Sequence, residues 1–208
     1  MMKKKQGTCN GPIAEKNSIL FKTRRFQIIK KAAKLFSKKG YAQTSMREIS
    51  RETGIDVGNL YYFIDSKEDI LFRVFEMVHE PEIRLFENQC ITSIEDPGKQ
   101  LQTVIHELLT FGSRHRDEIL LLYRESKLLP KDLLKIIMER ESNFVKQIEE
   151  ILKKGKEKKV FNFDDASFAA NMIIYELSLY PLRSWNLKKF QREELMNLIE
   201  RHIMNAVM

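Results

Sequence analysis

The chain has 208 residues, 43% hydrophobic and 31% charged, a balance that suits one or two compact domains and excludes disordered and collagen-like classes. Its net charge of +7 is unevenly spread, because residues 1–69 carry 15 basic and 7 acidic side chains while the remainder carries 21 and 22. The whole excess therefore sits in the first third, which points to a polyanion-binding module, nucleic acid ahead of anionic membrane, on a near-neutral C-terminal body.

Residues 1–22 mix Lys, Gly, Asn and Pro without periodicity and read as a basic flexible tail. Lys3, Lys4 and Lys5 are as consistent with a solubilising tail as with a DNA-following arm. A helix is expected over 24–39, where Phe26, Ile29, Ala32, Ala33 and Phe36 recur at helical spacing and Gly40 is the stop. Ser45-Met46-Arg47-Glu48 is a capping box that opens a short helix ending at Gly54. Asp56 is placed to cap a second short helix, Val57 to Phe63, and Ser66 opens a third that Ile70, Leu71, Val74, Phe75 and Val78 continue. Pro81 is expected to kink or end it, and is a place from which a motion between the two parts of the chain could originate.

Asp96-Pro97 starts the next helix, with Leu101, Val104, Ile105, Leu108 and Phe111 as its stripe. Further helices are expected over 117–128, from Pro130 to Gly155, from Asp164 to Pro181 and from Gln191 to Val207, with a charged loop over 153–159. No segment alternates as a strand does, so the expected fold is all-α with about nine helices. The expected organisation is a tail over 1–22, a helix-turn-helix domain over 23–69, and a helical ligand-binding and dimerisation domain over 70–208. Phe168, Ala169, Ala170, Met172, Ile173, Ile174, Leu177, Leu179, Tyr180 and Leu182 make their segment apolar nearly all round. Such a helix is buried on two sides, and a homodimer is the simplest way to cover the second.

Two short helices joined by a glycine turn, in the basic third of the chain, describe a helix-turn-helix whose second helix enters a major groove. Gly58 and Asn59 allow close approach there, and the phenols of Tyr61 and Tyr62 suit phosphate, sugar or thymine-methyl contacts. Lys67 combines a cation with the free N–H groups of a helix start, which suits a phosphate.

The stretch from Arg25 to Phe75 carries Ala32-Ala33-Lys34-Leu35-Phe36, Gly40-Tyr41, Thr44-Ser45, Gly54-Ile55, Gly58-Asn59-Leu60-Tyr61-Tyr62 and Ser66-Lys67-Glu68-Asp69. It resembles the DNA-binding domain of the TetR/AcrR family of bacterial transcription regulators. The resemblance implies a homodimer closed by its last two helices, a C-terminal ligand pocket, and repression at a palindromic operator relieved by a small molecule. By the same resemblance Ser45 and Arg47 contact phosphate or base, Val57, Gly58 and Asn59 begin the base-reading helix, Tyr61 and Tyr62 touch phosphate and methyl groups, and Lys67 closes on a phosphate. Phe63 and Ile64 depart from the family's usual His-Phe.

In the C-terminal part, Leu122-Tyr123-Arg124-Glu125-Ser126, the Gly155 to Phe161 segment and Leu182-Arg183-Ser184-Trp185 are similar to the subgroup that senses fatty acyl-CoA. That resemblance implies an elongated apolar pocket with basic side chains at its mouth. Candidate pocket residues are Tyr123, Arg124, Met138, Met172, Tyr175, Arg183 and Trp185.

No metal or other cofactor is expected, since His106 and His202 sit on apolar stripes and Cys9 and Cys90 lack ligand spacing. No GxSxG, P-loop, GxGxxG or HExxH occurs, so an enzyme is not expected. No apolar run approaches the roughly 20 residues of a membrane span, and the lysines near the start are not followed by a signal-peptide core. A cytoplasmic protein without membrane contact is therefore expected. The competing reading is a helical adaptor or peripheral membrane protein docking its basic third on anionic lipid. It would need a broad exposed apolar face, whereas Ile49, Ile55 and Leu60 are required to hold the short helices together.

Overall fold

The structure is a computed structural model that describes the backbone from Pro12 and the side chains from Ile19 to Met208. Lys3, Lys4, Lys5 and Cys9 lie outside the described residues. Among the described residues there are eleven α-helices, nine of them seven residues or longer, and no strand. The chain divides into two compact units, the first ending at Ile70 and the second running from Leu71 to Met208.

The first unit contains α1 (Pro12–Lys39), α2 (Met46–Thr53), α3 (Val57–Phe63) and the first turn of α4 (Lys67–Glu87). Its buried side chains include Ile28, Ile29, Ala32, Ala33 and Phe36 from α1, Ile49 from α2 and Leu60 from α3, with Tyr41, Ile55 and Ile64 from the connections. Gly40 and Gly54 stand at φ 91° and 72°, the left-handed conformation that ends a helix with little strain only at glycine.

Three expectations are corrected here. Helix α1 starts at Pro12, not near residue 24, so 12–22 are helical. Among the described side chains of that extension, 19–22, none is buried, and Ile19 and Leu20 are exposed at 59% and 67%, so these positions give no core stripe. Within α1, Phe26 is exposed and Ile28 occupies the core instead. The side chain of Asp56 makes no cap hydrogen bond to α3.

Helix α4 continues through Pro81 to Glu87. The missing N–H withdraws one backbone bond, which a long helix tolerates when its flanking turns remain intact.

The second unit holds the rest of α4, then α5 (Gln89–Thr92), α6 (Pro97–Arg114), α7 (Arg116–Glu125), a 3-10 turn at Ser126–Leu128, α8 (Lys131–Glu157), α9 (Ala166–Leu177), α10 (Leu179–Arg183) and α11 (Arg192–Val207). One core joins Leu101, Val104 and Ile105 of α6, Phe144, Ile148 and Leu152 of α8, Ala170 and Ile173 of α9, and Leu195, Ile199 and Ile203 of α11.

Gly155 does not end α8. A Cβ there would lie 1.9 Å from the Phe161 ring, so the glycine is a seat for a buried phenyl group, and helix replaces most of the loop expected over 153–159. The helix expected from Asp164 to Pro181 is interrupted at Ser178. Pro181 has no N–H to offer the Leu177 carbonyl, and the chain reopens as α10.

Candidate functional site

In the first unit the α2–turn–α3 pair is fixed by short-range chemistry. Ser45 Oγ accepts from the Glu48 N–H at 3.3 Å, and the Glu48 carboxylate accepts from the Ser45 N–H at 2.9 Å. The Lys39 ammonium hydrogen-bonds to the same carboxylate; this contact and the Ser45 N–H lower the Glu48 pKa to about 2. At the far end of α2 the Gly54 N–H donates to the Ser50 carbonyl at 2.9 Å, and Ser50 Oγ donates to the Ile55 carbonyl at 2.6 Å.

Helix α3 turns Leu60 fully inward and leaves Gly58, Asn59, Tyr61 and Tyr62 exposed, with Val57 half-buried at its start. Tyr62 is 73% exposed, yet it is not loose: its ring meets the edge of Phe21 at 5.5 Å and of Phe63 at 5.2 Å. Phe21 in turn stacks on Phe63 at 5.1 Å. Phe21 was not among the expected site residues, since it falls in the segment read as tail; an aromatic one helical stretch ahead of the core stripe was the available signal. Phe63 and Ile64 are used for packing, Ile64 being fully buried, which accounts for their departure from a polar contact. Ser45 and Arg47 are exposed at the start of α2.

Lys67 behaves differently from an open phosphate ligand. Its Nζ donates to the carbonyls of Tyr41 at 2.9 Å and Thr44 at 3.0 Å and sits 4.2 Å from the Tyr41 ring centre. It ties the first turn of α4 to the connection after α1. The neighbouring Tyr41–Glu68 hydrogen bond at 3.1 Å and the Arg25–Asp69 pair at 3.2 Å fasten the same turn.

Ile49, Ile55 and Leu60 are buried, so none of the three is free to enter lipid. Among the described residues no helix is long and apolar enough to cross a membrane.

The second unit contains a half-open cavity of about 540 Å³, lined mainly by apolar groups such as Leu108, Phe111, Leu122, Ile137 and Leu177. Of the expected pocket residues Tyr123 and Met138 line it, and the Tyr123 hydroxyl shares a 2.9 Å hydrogen bond with Ser178 Oγ. Arg124, Met172, Tyr175, Arg183 and Trp185 do not line it. Arg183 lies over the Trp185 ring at 5.4 Å, both residues being exposed. Phe168, Met172 and Tyr175 fall at helical spacing on one exposed face of α9, with Leu198 exposed on α11.

The polar corner of the cavity holds His79, Glu82 and Glu141. Burial opposes a charge on His79, but its hydrogen bond to Glu82 and the charges of Glu82 and Glu141 raise its pKa overall. Burial and the Glu82 charge push Glu141 upward as well. The spacing of His79 and Glu82, one helical turn apart, was a readable signal; Glu141 was not, since only folding brings it near. His106 and His202 prove exposed, each facing a carboxylate, Glu200 at 3.2 Å and Glu176 at 2.8 Å.

An outward helix-turn-helix on one compact unit and a cavity in a second, all-helical one describe the build of a two-part helix-turn-helix regulator. A profile described as bacterial regulatory proteins of the TetR family matches residues 28–74, and one described as the tetracyclin repressor-like C-terminal domain matches residues 95–178. The HTH-type transcriptional regulator HbdR of Aromatoleum sp. (strain CIB) is 30% identical over 137 residues, 64% of this chain and 58% of that protein. The matches thus span about half the length of the first curated relatives. A TetR-family regulatory protein from Rhodococcus RHA1 superposes with a TM-score of 0.78 at 18% identity, covering 88% of this chain and 96% of the other. AibR, solved in complex with isovaleryl coenzyme A and operator DNA, superposes with a TM-score of 0.70 at 21% identity, covering 85% and 96%. The chain belongs to the TetR family of bacterial regulatory proteins.

Proposed function

We propose that this chain is a ligand-responsive, DNA-binding transcriptional regulator, a homodimeric repressor that leaves a palindromic operator when a small hydrophobic effector binds. The observation that carries the DNA-binding reading is Gly58. A Cβ at this position would meet nothing within 4 Å among the described residues, so no internal packing requires a glycine. Glycine inside a helix costs about 0.5–1 kcal/mol relative to alanine. A bare backbone between half-buried Val57 and exposed Asn59, Tyr61 and Tyr62 serves close approach by something outside the chain, and a major-groove edge fits that role. Ser45 and Arg47 supply phosphate contacts beside it, while Lys67 acts first by positioning α4.

For the effector, the apolar cavity supports a hydrophobic ligand, and a fatty acyl-CoA is the specific candidate. The support is the cavity's lining together with the coenzyme A thioester named for AibR. The acyl chain would occupy the apolar part, with the phosphates kept near exposed Lys127 and away from Glu82 and Glu141. Tyr123 and Met138 are the retained pocket contacts. The face of α9 bearing Phe168, Met172 and Tyr175, with Leu198 of α11, is the proposed dimer surface. Release requires the effector to prefer the non-binding arrangement; a hundredfold preference supplies about 2.7 kcal/mol.

The test is selection of genomic fragments on the full chain, followed by mobility shifts at graded salt. Steep weakening with salt and loss of binding in Arg47→Ala and Tyr62→Ala are expected. Binding unchanged in both variants would reject the contact assignment. Thermal shifts with acyl-CoAs of graded length, against free CoA, test the effector separately.

A further inference from the structure

Three side chains meet in the cavity wall of the second unit in a way that the proposed regulator does not use. His79 and Glu82 stand one turn apart on α4, and Glu141 reaches them from α8. His79 Nδ1 lies 2.8 Å from Glu82 Oε2 and 3.7 Å from Glu141 Oε2, and one donor atom from each residue falls within 4.8 Å of the others. Around a tetrahedral ion with bonds of about 2.0–2.2 Å, ligand atoms are separated by roughly 3.3–3.6 Å, so the two measured distances bracket a coordination edge.

The surroundings are buried and leave carboxylate charge in excess of the cations that face it. His79 is 3% exposed, and its second nitrogen, Nε2, has no hydrogen-bond partner among the described residues. Both measured distances run from Nδ1, which is therefore the ligand atom, and Nε2 is not part of the site. Two carboxylates share a single imidazole, and Arg140, the nearby guanidinium, is bonded to Glu76 at 3.1 Å.

The geometry points to a divalent transition-metal site made by His79, Glu82 and Glu141, with the remaining coordination position facing the cavity they line. One imidazole and two carboxylates form a mixed nitrogen and oxygen set that suits Zn²⁺ and its neighbours Co²⁺, Fe²⁺ and Mn²⁺; Mg²⁺ and Ca²⁺ favour oxygen alone. The two carboxylates balance the ion's charge, and the open position takes water or an oxygen ligand. The site stands whether or not the effector is a thioester.

The test uses the untagged full chain, stripped of metal by a chelator and titrated with Co²⁺, whose visible absorption reports coordination. Expected are one Co²⁺ per chain, bands abolished by Zn²⁺, and affinity at least about tenfold weaker in Glu141→Gln. His79→Ala should lose the bands altogether; because it also opens space in the core, the isosteric Glu141→Gln carries the conclusion, with circular dichroism showing that it is folded. Absence of cobalt bands in the folded wild-type chain overturns the proposal. So does Co²⁺ binding that is equally tight in Glu141→Gln, which would place the ion at a surface histidine such as His106 or His202.

Discussion

The ammonium of Lys67 donates to the carbonyl of Tyr41 at 2.9 Å and lies 4.2 Å from the centre of the same residue's ring. A cation held in this way is part of the framework before it is part of any interface. Lys67→Met is therefore expected to cost about 1–2 kcal/mol of stability through lost charge-assisted hydrogen bonds. Exposed Arg47→Ala is expected to stay within about 0.5 kcal/mol of wild type while weakening DNA binding. Urea denaturation beside mobility shifts separates the two; equal stability losses would contradict the distinction.

Gly58 gives effects of opposite sign on folding and binding. Since a Cβ meets nothing within 4 Å, Gly58→Ala should stabilise the chain by about 0.5–1 kcal/mol. The same methyl group should weaken operator binding. A variant that is more stable and binds equally well would remove the main support for close approach at this position.

Phe21 should matter to binding through Tyr62. Phe21→Ala leaves the Tyr62 hydroxyl in place chemically but removes the ring edge that holds it at 5.5 Å, so operator affinity should fall. Tyr62→Phe, which keeps the ring contact and loses only the hydroxyl, reports how much of the loss is polar. If Phe21→Ala binds as wild type does, the aromatic support has no role in positioning.

Gly155→Ala should destabilise the second unit by about 1–3 kcal/mol, because the new methyl group would fall 1.9 Å from the buried Phe161 ring. A lowered urea midpoint is the readout, and an unchanged midpoint would show that Phe161 moves aside freely.

Glu48 provides a pH dependence with a definite sign. Its folded-state pKa of about 2 lies below the ordinary 4.5, so its contribution is complete above about pH 4.5 and is lost as pH falls towards 2. Acid titration of the melting temperature should show this slope, and Glu48→Gln should flatten it. An identical slope in the variant would assign the dependence to other carboxylates.

The parts of the fold that could be read in the sequence are those settled by near neighbours. Ser45 and Glu48 satisfy each other across one turn, and Gly40 and Gly54 stop helices by a backbone conformation few other residues adopt easily. The exposure of Asn59, Tyr61 and Tyr62 follows once Leu60 is assigned to the core. What escaped depends on contacts or on their absence. The start of α1 was hidden because Ile19 and Leu20 are exposed. Gly155 looked like a stop because the role of Phe161 is visible only in three dimensions. On α9 an almost uniformly apolar sequence could not distinguish the cavity side, where Ile174 and Leu177 lie, from the outer side of Met172 and Tyr175. The corner formed by His79, Glu82 and Glu141 needs two helices far apart along the chain.

The fastening of the first turn of α4 has a consequence for handling the protein. Lys67 is held largely by uncharged carbonyl oxygens, and the unit around it rests on Phe36, Ile49, Leu60 and Ile64, none of which concentrated electrolyte weakens by screening. Grip on a polyanion, by contrast, is dissolved by counterions. Brine should strip the duplex away and leave the reading head intact and reusable.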